Sequence, residues 1–191
     1  MDYLINFMNK FENIPPESVK TFLNLATKKN YKKHEIITKI GEVAKDFYII
    51  KSGVIRSFYI DEKGKQYINY FFTTNGTKGS LGSLISQKPS RLAYDCLTEC
   101  EVYKFNFEEF KKIKATDISI ANLYSTILEH LFLITESRIF DLSVLNATNR
   151  YLKLKEEIPE IENLVPQYHI ASYLNVSAVQ LSRIRKELYS K

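Results

Sequence analysis

The sequence predicts an α+β fold, with short strands over roughly the first 115 residues and helices over the remainder. Two observations carry that reading. All six glycines lie between Gly41 and Gly82, and none falls in the last 109 residues. Glycine marks turns that need positive φ, so a glycine-dense stretch before a glycine-free one points to β structure first and helices after. The apolar pattern changes at the same place, from runs of β-branched and aromatic residues to three- and four-residue steps beyond Asp117.

Pro15-Pro16-Glu17 opens a helix that continues through Ser18–Lys28 on Val19, Phe22, Leu23 and Leu25. Strands follow at Glu35–Thr38, Phe47–Ile50 and Val54–Ile60, the last two separated by Lys51-Ser52-Gly53. Asp61-Glu62-Lys63-Gly64-Lys65 forms a polar hairpin loop into Gln66–Phe72, and further strands cover Leu92–Leu97 and Glu101–Phe105. Short strands with frequent turns imply a sandwich, jelly roll or barrel. Residues 117–145 hold no Gly or Pro, and Ile120, Leu123, Ile127, Leu131 and Ile134 recur at helical spacing. Such a helix spans about 43 Å at ~1.5 Å per residue, longer than a small domain needs. Tyr124, Leu128, Phe132 and Leu133 lie on its other faces. One side therefore suits the β unit and another a second copy of the chain, and a homodimer through helix 117–145 is expected. A further helix runs from Asn146 or Ala147 to about Glu157, before Pro159. The expected domains are 1–115, 116–145 and 146–191.

The chain has 191 residues and a formal net charge of +5. Residues 1–115 carry 19 Lys/Arg against 13 Asp/Glu, residues 116–145 one against four, and residues 163–191 four against one. A basic end behind an acidic middle permits an anionic partner without requiring one. No unbroken apolar run approaches the ~20 residues of a membrane span. The N-terminus has neither a basic n-region nor an apolar h-region. A cytoplasmic protein with no membrane partner is expected. Two cysteines, Cys96 and Cys100, and three separated histidines, His34, His130 and His169, offer no metal centre. Iron–sulfur chemistry needs about four cysteine ligands. His130 sits on the long helix, where packing or exposure is favoured over ligation to a haem. No cofactor is expected. Cys96 and Cys100 fall on the same face of one strand if no turn intervenes, and are read as buried thiols.

The most informative segment is Pro166 to Lys186. Ile170 and Leu174 form an apolar i,i+4 pair on a short first helix, with Ala171 small enough for a close crossing. Asn175 stands where the chain must turn sharply, and Asn tolerates the left-handed region. Ser177-x-x-Gln180 is a capping-box pattern. Leu181, Ile184 and Leu188 give the second helix a buried stripe, leaving Ser177, Gln180, Arg183, Arg185 and Lys186 on other faces. Apolar spacing, small residue, turn residue, cap and charge together meet the requirements of a helix-turn-helix.

With those residues in place, the chain resembles the Crp/Fnr family, relatives of the cyclic-AMP receptor protein, and its ending is similar to forms common in Bacteroidetes. The resemblance runs over nearly the whole length, through Phe47-Tyr-Ile-Ile-Lys-Ser-Gly-Val54, Asp61-Glu-Lys-Gly-Lys65, Cys100-Glu-Val102, the long helix and Tyr173-Leu-Asn-Val-Ser…Leu-Ser-Arg-Ile-Arg185. It implies an N-terminal β jelly roll of the cyclic-nucleotide-binding type, a dimerisation helix and a C-terminal winged helix-turn-helix with a truncated wing. Its partner would be double-stranded DNA, a palindromic site read by a homodimer. Carried over by position, Ser177, Ala178, Val179, Gln180 and Arg183 take the base-facing side. Arg183 suits guanine through its two-pronged donors. Gln180 either reads adenine or only caps the helix; Ser177 is first a cap; Val179 meets a thymine methyl or is merely exposed. Arg185 and Lys186 are phosphate candidates, as are Gln167 and His169 near the start of the first helix.

The effector pocket departs from the family pattern. Nucleotide-binding members show Gly-Glu-Leu followed by Arg-Ser, in which the arginine meets the cyclic phosphate and the glutamate the ribose. Here the stretch is Gly79-Ser80-Leu81, and Ser90-Arg91 follows. Ser80 replaces the glutamate, and Ser90 falls at the arginine position within one residue of alignment. Cyclic AMP is therefore not the expected effector; another small molecule, or none, is. The rival readings are a jelly-roll enzyme of the cupin sort, which needs His and Glu ligands on neighbouring strands, and an interaction module with a degenerate helix-turn-helix. Only His34 lies in the β region, against the first. Arg183, Arg185 and Lys186 stand against the second.

Overall fold

The computed structural model describes residues 2–74 and 76–189. Two helices, α1 (Asp2–Met8) and α2 (Pro16–Asn24), precede eight strands. These are β1 (Thr27–Tyr31), β2 (Ile36–Thr38), β3 (Asp46–Ser52), β4 (Ile55–Ile60), β5 (Gln66–Phe72), β6 (Thr77–Lys78), β7 (Ala93–Cys96) and β8 (Cys100–Asn106), with α3 (Leu81–Ser86) between β6 and β7. Six helices follow: α4 (Phe107–Thr116), α5 (Ile118–Val144), α6 (Ala147–Glu157), α7 (Ile161–Leu164), α8 (Gln167–Tyr173) and α9 (Ala178–Tyr189). The α+β reading holds.

The strands form two four-stranded antiparallel sheets, in the orders β1-β8-β3-β6 and β2-β7-β4-β5. Gly53 turns β3 into β4 at φ 95, and a Cβ there would stand 2.3 Å from the Glu99 carbonyl oxygen, so only glycine fits. In the β4–β5 loop the Asp61 carboxylate accepts from the backbone N–H groups of Lys63 and Lys65, which closes the expected hairpin.

Two expectations need correction. The helix from Pro16 stops at Asn24 instead of reaching Lys28, because Thr27–Tyr31 pairs with β8 along its length. Tertiary pairing overrides a segment with little pattern of its own. Cys96 and Cys100 do not share a strand. A turn separates them onto β7 and β8, in different sheets, where both are buried and free. Helix α5 is long and apolar enough to cross a membrane by length and composition, with an 18-residue window of mean hydropathy 1.3, although it contains no unbroken apolar run of that length. Its Ser, Thr and Asn residues interrupt any unbroken apolar run without lowering the average much.

Packing follows from these placements. Leu4, Phe7, Phe22, Phe105, Phe110, Ile120 and Leu123 join α1, α2, α4 and the first turns of α5 to the first sheet. Ile50, Ile55, Tyr94, Cys96 and Val102 fill the space between the sheets. On the outer side of the second sheet, Phe58, Ile68 and Phe71 continue into Tyr151, Leu154, Ile170, Tyr173, Leu181 and Ile184 of the C-terminal helices, so one apolar core crosses from sheet to helices. The Asp117 carboxylate caps α5 by accepting from Ser119 and Ile120, and a hydrogen bond with Ser18 leads the effects that hold it below the usual range. Asn146 caps α6 in the same way.

Along α5, only Ile120, Leu123 and Asp141 are buried. Phe132, Leu133, Ile139, Phe140 and Val144 are all more than half exposed.

Candidate nucleic-acid interface

Pro166 leads into α8, and its fixed φ suits a helix start. The chain leaves α8 through Asn175 at φ 55, the left-handed position expected there. The Val176 N–H bonds back to the Ala171 carbonyl at 3.0 Å. Ser177 then caps α9, its Oγ accepting the Gln180 N–H at 3.1 Å. Leu181 and Ile184 turn inward.

That inward stripe fixes which residues face out. Ser177, Ala178, Val179, Gln180, Arg183 and Lys186 are all exposed, and Val179, Arg183 and Lys186 follow one another at four and three residues along one face. Gln167 is exposed at the start of α8, beside Tyr168, which is 62% exposed. Tyr168 was not singled out from the sequence; an aromatic next to Gln167 at the helix entry was the available signal.

Two expected phosphate contacts lie elsewhere. Arg185 Nε sits 2.8 Å from Glu162 Oε1 on α7, out of line for a hydrogen bond but well placed for an ion pair. The same carboxylate accepts from the Tyr151 hydroxyl at 2.7 Å and lies 3.1 Å from the Lys155 ammonium. Arg185 thus ties α9 to α7. His169 is buried, and its ring faces Arg56 of β4, which in turn holds Asp95 of β7. Burial, followed by the adjacent guanidinium, pushes its pKa down to about 4.

The far end of α8 is held by two arginines that the sequence reading did not single out. Arg138 of α5 donates to the Tyr173 carbonyl, with its guanidinium 3.8 Å from the centre of the Tyr173 ring. Arg150 of α6 donates to the Leu174 carbonyl at 3.2 Å. Both satisfy carbonyls that a helix end leaves open. Lys153 of α6 also pairs with the buried Asp141 of α5 at 2.7 Å. Helices α5, α6 and α8 are therefore linked by polar contacts as well as by packing.

The expected effector pocket is placed together, but closed. Gly79 leads into α3, and the buried Ser80 and Ser90 hydroxyls are 2.8 Å apart, bonded to each other. The Tyr94 hydroxyl donates to the Gly79 carbonyl at 3.1 Å. Leu81 is half-buried, whereas Arg91 is exposed. The adjoining cleft, lined by Ile37, Tyr48, Ile55, Lys78 and Tyr94 among others, has no room for even a water molecule, against the ~300 Å³ or more of a usual small-molecule site. Lys78, missed in the sequence, is 6% exposed there, its ammonium against the Phe72 ring and bonded to the Thr77 carbonyl. Desolvation holds its amine well below the usual range. Among the described residues no group of three or more His, Cys, Asp or Glu is placed to hold a metal ion.

Comparison with known proteins places this geometry. The cyclic nucleotide-binding domain family matches residues 28–117. No curated protein matches the sequence. Among solved structures, the c-di-GMP-responsive global regulator CLP of Xanthomonas campestris is 17% identical with a TM-score of 0.72, covering 92% of each chain. FixK2 of Bradyrhizobium japonicum is 22% identical with a TM-score of 0.72, covering 86% of this chain and 85% of its own. A protein of Eubacterium rectale assigned to the Crp/Fnr family of transcriptional regulators is 14% identical with a TM-score of 0.73, covering 91% and 83%.

Proposed function

We propose that this chain, a Crp/Fnr-type protein with a cyclic nucleotide-binding-like domain, is a sequence-specific DNA-binding transcription regulator. The reading rests on one observation above the others: a capped helix behind a tight turn presents Val179, Gln180, Arg183 and Lys186 to solvent on one face. In this reading residues 1–115 are a jelly-roll sensor, residues 116–145 the dimerisation helix, and residues 146–191 a helix-turn-helix unit whose α9 enters the major groove. Arg183 reads a base. Gln180 and Val179 flank it, and Ser177 and Ala178 lie at the groove's edge. Lys186 and Gln167 meet phosphate.

A second copy of the chain covers α5. Ala121, Ser125, Leu128, Phe132, Thr135, Ile139 and Leu142 repeat at alternating four- and three-residue steps, the seam of a two-stranded coiled coil. Phe132 and Ile139 on that seam are 66% and 62% exposed in the single chain. Two-fold pairing there presents two α9 helices to a palindromic site. Sedimentation should show a dimer for the wild type and a monomer for Phe132→Glu; a wild-type monomer at micromolar concentration would overturn the seam.

The effector is a small molecule other than cyclic AMP, or none. The Ser80–Ser90 hydroxyl pair stands where a carboxylate would meet the ribose and a guanidinium the cyclic phosphate, and Arg91 is exposed. The DNA reading is tested at Arg183. Arg183→Ala should cost about 1–3 kcal/mol of discrimination at one base pair per half-site while the dimer stays intact. Unchanged specificity would remove Arg183 from the base-reading set.

A further inference from the structure

Burying three ionisable side chains together is costly unless their polar atoms are matched. Arg56, Asp95 and His169 meet that condition across two strands and a helix. Arg56 on β4 and Asp95 on β7 are direct cross-strand partners. The guanidinium clasps the carboxylate with two bonds, Nε to Oδ1 at 2.6 Å and Nη2 to Oδ2 at 2.8 Å. Its remaining nitrogen, Nη1, leaves the sheet and lies 3.0 Å from Nδ1 and 2.8 Å from Nε2 of His169 on α8. Whichever ring nitrogen is unprotonated accepts from it. All three residues are at most 7% exposed.

One turn further along α8, Ser172 Oγ accepts the Ile68 N–H at 3.1 Å and donates to the Gln66 carbonyl at 3.3 Å. Strand β5 is an edge of its sheet, so α8 satisfies backbone groups that would otherwise lack a strand partner. The apolar contact beside it is non-directional. A planar guanidinium held by a carboxylate on one side and an imidazole on the other is directional. It sets the angle at which α8 meets the sheet, and α9 is joined to α8 by a short turn.

We propose that Arg56, Asp95 and His169 form a latch that fixes the orientation of the α8–α9 unit on the second sheet, with His169 a positioning residue acting through Arg56 rather than a phosphate contact. The exposed face of α9 is left uncovered, so the latched arrangement is the DNA-reading one. That last step rests on the function proposed above, whereas the latch itself does not.

The test uses hydrogen exchange of the full chain. The Ile68 amide, bonded to Ser172, reports docking of α8; the amides of β8, paired on both sides, report the global fold. In His169→Ala the Ile68 amide should exchange about tenfold faster or more, while β8 amides hold their protection. His169→Gln, whose side-chain oxygen accepts the same N–H, should restore Ile68. Equal protection of Ile68 in the alanine variant, or equal acceleration at β8, overturns the latch.

A second measurement needs no disruptive variant. The groups facing His169 are Arg56 from β4, Asp95 from β7 and Tyr168 beside it, with His34 near enough to act through its charge. In a His34→Asn background, opening at Ile68 should rise as pH falls from 6.5 toward 4, by up to about tenfold per unit. A flat profile overturns the latch.

On DNA, His169→Ala should lower affinity for a duplex carrying two half-sites about tenfold and leave a single half-site unchanged, since only the spacing is lost. Equal loss on both duplexes overturns the positioning role. If the wild type selects no sequence at all, the DNA reading fails, and the exchange data still decide the latch.

Discussion

Arg56 and Lys78 are buried to the same extent, each 6% exposed, yet one stands in the second sheet beside a carboxylate and the other at the edge of the first sheet with none beside it among the described residues. The register explains the difference. Arg56 faces Asp95 across β4 and β7, whereas Lys78 faces Tyr48 across β6 and β3. A matched buried charge is expensive to break and directional, so it serves to place another element. An amine with no carboxylate beside it among the described residues has its pKa pushed down by burial and sits on aromatic rings, in the closed cleft beside Gly79. The second sheet is organised to hold a helix, and the interior beside Lys78 is organised as packing.

The largest effect should come from breaking the matched pair. Arg56→Ala leaves Asp95 buried without its cation and should cost about 3–5 kcal/mol in denaturant unfolding. A loss under about 1 kcal/mol would mean that water already reaches the pair. Lys78→Met should act in the opposite direction, stabilising the chain by about 1–2 kcal/mol, since an apolar side chain of similar length replaces an unmatched amine. The pH dependence sharpens this. Burial holds the folded amine's pKa below its ordinary value near 10.5, so between the two values the unfolded chain binds more protons, and stability rises with pH toward 10.5. Lys78→Met should flatten that rise. A destabilised variant with an unchanged pH slope would show that Lys78 has an anionic counterpart.

Replacing both charges by apolar residues, Arg56→Met with Asp95→Leu, should cost under about 1.5 kcal/mol while the Ile68 amide loses protection. Stability and orientation would thereby separate. Retained protection would show that apolar contact alone places α8. The smallest effect is expected from His169→Gln, within about 1 kcal/mol of wild type by thermal unfolding.

Local patterns were legible in the sequence, and distant pairings were not. Strands β3, β4, β5, β7 and β8, the helices α5 and α6, and the capped turn at Asn175 stand within a residue or two of the positions read from apolar spacing, turn residues and caps. Strand β6 has two residues and α3 six, too few for any period to show. Strand β1 carries four exposed polar residues in a row, and only its pairing with β8 makes it a strand. The α9 face was readable because Leu181 and Ile184 announce which side is buried. His169 and Arg185 were misplaced because nothing local says that one meets a residue 113 positions away and the other a glutamate on α7. A partial signal existed for the latch: Arg56 and Asp95 are lone charges inside apolar runs read as strands, and a charge that such a strand buries calls for a partner.

The central claim is that the exposed face of α9 reads DNA in pairs. Selection of bound sequences from a randomised duplex library by the purified chain at near-physiological salt tests it most directly. Enrichment of a two-fold symmetric site, with half-sites about one DNA turn apart, is the predicted result. Binding without enrichment that vanishes steeply as salt rises would reduce the interaction to backbone attraction and contradict the claim.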